Sequence, residues 1–154
     1  MRVTELLKAV ATAFLVTLVV YFVAFGSIEH LRTHKGPWKV TFTHDNTGAP
    51  AIVINEPKLN ISNVTIDFPR EETSATNSTL DFARPKQVPF EVPFGQCIFM
   101  DTTFQPGTVV FNFFGHEIQL IPRVLTIDKK EYPWQSGTTF ALTNGVSVKS
   151  AAKP

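Results

Sequence analysis

The chain has 154 residues and a formal charge of +1 from 14 basic and 13 acidic side chains, and these are scattered, which excludes the basic footprint of a nucleic-acid binder. Its one cysteine, Cys97, excludes an intrachain disulfide framework, a multi-cysteine zinc site and a Cys-x-x-Cys-His haem attachment. Once an apolar N-terminal segment is set aside, about 115 residues remain, the size of one domain with one core.

Ala9 to Gly26 is uncharged and carries polar atoms only at Thr12, Thr17 and Tyr21. As a helix it spans roughly 27 Å, close to the hydrocarbon thickness of a bilayer. A cleaved signal peptide is the rival reading, since Arg2 and Lys8 precede the run and Ala24-Phe25-Gly26 offers small residues for cleavage. The run is longer than a signal core, and the bulky Tyr21, Phe22, Val23 and Phe25 crowd that site, so the length favours a retained anchor. Positive charges flank both ends almost equally. The short N-terminal tail is expected inside and the rest of the chain outside, on the pattern of signal-like n-regions.

Ala9, Ala13 and Thr17 recur every four residues and give the helix a small-residue face on which another membrane helix can dock. Ser27 to Lys35 extends the helix as a stalk until Gly36-Pro37 stops it. His30 and His34 share a face of that stalk, but no third ligand accompanies them, and an ordinary polar stalk is the expectation.

Beyond the stalk the pattern changes to short strands. Trp38 to His44 alternates apolar and polar, Asp45 to Gly48 is a turn, and Ala51 to Asn55 returns as the second arm of a hairpin. In Lys58 to Phe68 the apolar parity slips near Ser62-Asn63, which predicts a β-bulge. Pro69 to Thr79 reads as a surface loop and Leu80 to Ala83 as the start of a strand. Val88, Phe90 and Val92 alternate around Pro89 and Pro93, which places them at a sheet edge.

Cys97 to Met100 and Val109 to Phe114 are apolar on both strand faces, where an ordinary sandwich strand has one wet face. Either the chain covers the second face or a partner does, and Phe99, Val110, Phe111 and Phe114 are the partner-facing candidates. Pro106-Gly107 and Gly115-His116 turn the chain. Glu117 to Ile121, Val124 to Ile127, Thr139 to Thr143 and Val146 to Val148 supply further strands, with turns at Asp128 to Glu131 and Asn144-Gly145.

These elements define a mainly β protein: an N-terminal transmembrane helix followed by an antiparallel β-sandwich of about seven to nine strands, immunoglobulin-like or jelly-roll-like. The expected organisation is residues 1–35 as anchor and stalk, 36–148 as the sandwich and 149–154 as a frayed tail. Trp38, Phe42, Phe68, Phe90, Phe111 and Phe140 are the expected aromatic core.

No catalytic motif, cofactor fingerprint or metal-ligand set emerges from the chain. Cys97, Met100 and His116 are blue-copper ligand types without the second histidine such a site needs. Asp101, Glu117 and Asp128 are not spaced as a carboxylate pair, so the expectation is a non-enzyme without cofactor or small-molecule substrate. Asn60, Asn63 and Asn77 begin Asn-x-Ser/Thr triplets, of which Asn77 is the best placed for a glycan. Two functional classes remain. The first is an accessory subunit of a larger membrane complex, such as a respiratory or photosynthetic one, with integral membrane proteins and the bilayer as partners. The second is a tethered recognition module that presents Trp38, Tyr132 and Trp134 to glycan or peptide.

Overall fold

A computed structural model describes residues 2–33, 38–82, 84, 86–101, 107–143 and 146–149, with helix side chains described as far as Ile28. The chain divides into two compact units, Met1–His34 and Lys35–Pro154. The first is a single helix, α1 (Val3–Thr33), which runs on through the expected stalk. Its segment Val3–Ile28 is long and apolar enough to cross a membrane, and its side chains are exposed. The hydroxyls of Thr12 and Thr17 donate to the carbonyls of Lys8 and Ala13, at 2.8 and 2.9 Å. Their polar atoms are thus satisfied within the helix, the condition for lying in hydrocarbon.

The second unit holds twelve described strands: β1 (Lys39–His44), β2 (Pro50–Glu56), β3 (Ile61–Asp67), β4 (Ser78–Asp81), β5 (Phe90–Val92), β6 (Gly95–Asp101), β7 (Thr108–Phe113), β8 (His116–Ile121), β9 (Val124–Ile127), β10 (Lys130–Tyr132), β11 (Thr139–Leu142) and β12 (Val146–Lys149). A 3-10 turn, Pro57–Leu59, joins β2 to β3. β10 falls where Asp128 to Glu131 reads as a turn, because three residues are too few to show a period of their own.

Two six-stranded sheets face each other in sandwich fashion. The first has the order β12-β11-β3-β2-β1-β4, with β11 parallel to β3 and every other pair antiparallel. The second is an unbroken antiparallel meander, β10-β9-β8-β7-β6-β5. The chain changes sheet only between β4 and β5 and between β10 and β11, so its connectivity is simpler than that of a jelly roll. As its prolines predict, β5 lies at an edge.

Alternation explains the core. Val40 and Phe42, Ile52 and Ile54, Val64 and Ile66, and Phe140 point inward from the first sheet, where they meet Cys97, Val109, Phe111, Phe113, Ile118, Leu120, Leu125 and Ile127 of the second. Phe42 packs edge-on against Phe94 and Phe113, at 5.1 and 5.7 Å between ring centroids, and Phe82 against Phe111 at 5.0 Å. Of the six expected core aromatics only Phe90, on the edge strand, is less than fully buried. Each buried aromatic adds about 1.5–3 kcal/mol before entropy is counted.

Local chemistry sets the corners. Asp45 Oδ1 accepts the N–H groups of Thr47 and Ala49, at 2.7 and 2.9 Å, and closes the β1–β2 turn. The two-residue turns Phe114-Gly115 and Asp128-Lys129 both have positive φ, the geometry that matches strand twist.

Both sheets contain a β-bulge. In the first, Ile54 pairs with Val64 but Glu56 with Ile61, so Ser62 and Asn63 together oppose Asn55. This is the predicted slip, and Asn63 takes it up with φ of 53°. In the second, Cys97 pairs with Phe111 but Phe99 with Val110, which leaves Ile98 as the extra residue. Parity reverses there. Cys97 faces the core ahead of the bulge and Met100 packs against it beyond, while Phe99 turns outward beside Val110.

Candidate functional site

The expected interaction residues fall in three environments. Ala9, Ala13 and Thr17 lie along α1 with exposed side chains. Thr17 folds its hydroxyl onto the Ala13 carbonyl, which leaves its methyl group outward and the stripe shallow. On the β domain, Phe99 is 46% exposed and the bulge residue Ile98 36%. They sit on β6 beyond the point where β5 stops pairing, since β5 reaches only from Gly95 to Cys97. Among the described residues of the β domain, Ile98, Phe99 and Val148 are the large apolar side chains left exposed.

The other three partner-facing candidates are accounted for by the domain itself. Phe111 is fully buried, stacked on Phe113 at 4.9 Å. Val110 is 8% exposed on the outer face beside Phe99. Phe114 takes a left-handed conformation, φ 51°, that costs a bulky residue roughly 1–2 kcal/mol. Its ring recovers contact by packing on Phe68 and Phe94, at 5.1 and 5.8 Å. A bulge and an inward turn residue therefore explain most of the doubly apolar pattern.

The aromatic platform is not assembled. Trp38 is 1% exposed and Tyr132 buried, and Trp38 stacks on the half-buried Trp134 at 5.0 Å between centroids. Trp38 Nε1–H donates to the Gly107 carbonyl and Trp134 Nε1–H to that of Ile121, so both indoles are spent inside the fold.

Among the described residues, no group of three His, Cys, Asp or Glu side chains could hold a metal. Cys97 is buried, and burial pushes its thiol up to about 11, the behaviour of a small core residue and not of a nucleophile. His116 Nδ1 lies 2.6 Å from Asp128 Oδ2, while Asp128 Oδ1 accepts the Glu117 N–H at 3.0 Å. This pair ties the start of β8 to the β9–β10 turn. His44, at the end of β1, bonds instead to Asn77 Oδ1 at 3.3 Å, just ahead of β4. The three triplet asparagines, Asn60, Asn63 and Asn77, are all exposed. The His30 side chain, His34, the Pro106 and Asn144-Gly145 turn residues and the tail beyond Lys149 lie outside what the structure describes.

One buried group escaped the sequence reading. Glu56 ends β2 with 1% exposure. Its Oε1 accepts the Lys58 N–H at 3.2 Å, while Oε2 has no hydrogen-bond partner among the described residues. The signal was present in the sequence, because Ile52, Ile54 and Glu56 share one parity. No family model, characterised protein or solved structure matches this chain.

Proposed function

We propose that this protein is a single-pass, membrane-anchored accessory subunit of a larger membrane complex, with α1 retained in the bilayer and the β domain on the extracytoplasmic side. The observation that carries this reading is the exposed apolar segment Val3–Ile28, in which the hydroxyls of Thr12 and Thr17 bond to carbonyls of the same helix. Its small face at Ala9, Ala13 and Thr17 is suited to close approach by a second helix. The exposed Ile98 and Phe99 give the β domain an apolar contact of its own. The role is non-catalytic, and its partners are integral membrane proteins and lipid.

Replacing Ala13 with leucine fills the small face without disturbing the hydropathy of the helix. Protein solubilised from its native membrane in mild detergent is expected to migrate in a particle much larger than the monomer. Ala13→Leu should shift it towards the monomer while the membrane-bound fraction stays constant. A wild-type chain that runs as a clean monomer and stays soluble once the anchor is removed would sink the proposal.

A further inference from the structure

We propose that Glu56 is a proton-controlled latch on the corner where β2, the 3-10 turn and β3 meet: closed while the side chain carries a proton, open when it is ionised. The geometry of this corner is unusual for a carboxylate. Glu56 points into the sandwich, and continuing the β1–β2 register by one step beyond Lys39 and Asn55 sets it opposite the buried Trp38. One oxygen caps the turn through Lys58 N–H, but the other finds no partner among the described residues, and a buried oxygen costs far more unsatisfied when charged than when neutral.

The backbone around it is the least regular part of the first sheet. Asn60 and Asn63 both take left-handed conformations, and the ladder skips a residue. Opening this corner to water therefore breaks few strand bonds. Across the bulge the corner is held by Ser136, whose hydroxyl accepts the Ser62 N–H at 3.0 Å and donates to the Asn60 carbonyl at 3.1 Å.

The charged groups that face Glu56 are Lys58 on the turn, Asp81 on β4 and Lys39 on β1. Burial dominates and raises the carboxyl above its ordinary value; the Lys58 N–H and the Lys58 and Lys39 charges oppose that rise, and Asp81 adds to it. The folded state thus holds the proton more tightly than the unfolded one. The stabilisation is complete below the ordinary carboxylate range and is lost as pH rises through the raised value, so the latch opens on the alkaline side.

Trp38 and Trp134 are the chain's two tryptophans, and they stack on one another, so intrinsic fluorescence reports on this corner. Titrating the full-length protein in detergent from acid to mildly alkaline pH should give a one-proton change in emission. Glu56→Gln should abolish that change and keep the low-pH spectrum throughout. A wild-type emission that does not vary with pH, or an identical titration in Glu56→Gln, overturns the latch. Should the variant fail to fold, hydrogen exchange on the wild type decides: after correction for intrinsic rates, amides from Lys58 to Ser62 should lose protection as pH rises while those of Val64 to Phe68 keep it. Uniform protection at the corner across the range refutes the proposal.

Discussion

The two β-bulges are the same device written in different alphabets. In β3 the extra residue falls among polar side chains, Ser62 and Asn63, between apolar residues of opposite parity. In β6 it falls inside Cys97-Ile98-Phe99-Met100, where every residue is apolar and a change of parity leaves no mark. The first bulge is therefore legible in the sequence. The second reads as a strand with two apolar faces and suggests a larger exposed apolar surface than the fold presents. Hydrophobic alternation reports register only where one face is polar.

The largest test of that comparison is to delete one residue on each side of the β6–β7 ladder. Removing Ile98 takes out the residue without a partner and leaves Cys97 and Met100 inward and Phe99 outward. It should preserve the fold at a cost of at most about 1–3 kcal/mol, read from chemical denaturation. Removing Val110 from β7, where no residue is spare, drives Phe111 or Val109 to the wrong face and should abolish cooperative unfolding. If both deletions unfold the domain alike, the β6 bulge is not a simple insertion.

Next come the aromatics on either side of that bulge. Phe111→Ala empties a site at the centre of the core and should cost about 3–5 kcal/mol. Phe99→Ala, on the outer face, should fall within about 0.5 kcal/mol in the isolated protein. A large loss at Phe99 in the native complex but not in purified protein would sharpen its assignment as a partner contact.

The smallest effect belongs to the other bulge. Asn63→Ala must hold an alanine at positive φ and should lose roughly 1 kcal/mol, whereas Asn63→Gly should be close to neutral. Equal losses for alanine and glycine would mean that the asparagine side chain, and not its backbone conformation, sustains the first bulge.

Much of the architecture could be read directly. The helix with its stalk, the β1–β2 hairpin, the edge position of Phe90 and the inward aromatics all follow from period and turn chemistry. The parallel pairing of β11 with β3 could not, because strand partners distant in sequence leave no local trace. The apolar period suggests a strand only from Leu80, but β4 begins at Ser78, whose hydroxyl is buried on the inner side of an edge strand and so masks that period. Of the candidate contacts, Phe99 and the small face of α1 are exposed, while the burial of Phe111 is hidden in the sequence by its neighbours' uniform apolarity.

The parallel pairing also sets an order of events. Strands β5 to β10 each pair with the next in the chain, so the second sheet can zip through short loops as it is made. The first sheet cannot finish at that stage. The edge of β3 waits for β11, which arrives only after the whole meander has been synthesised, and closing that long loop comes at the highest entropic cost in the fold. Until then the half-built sheet has a raw edge, and the exposed polar bulge residues Ser62 and Asn63 at the start of β3 are placed where they discourage a stray strand from pairing there first.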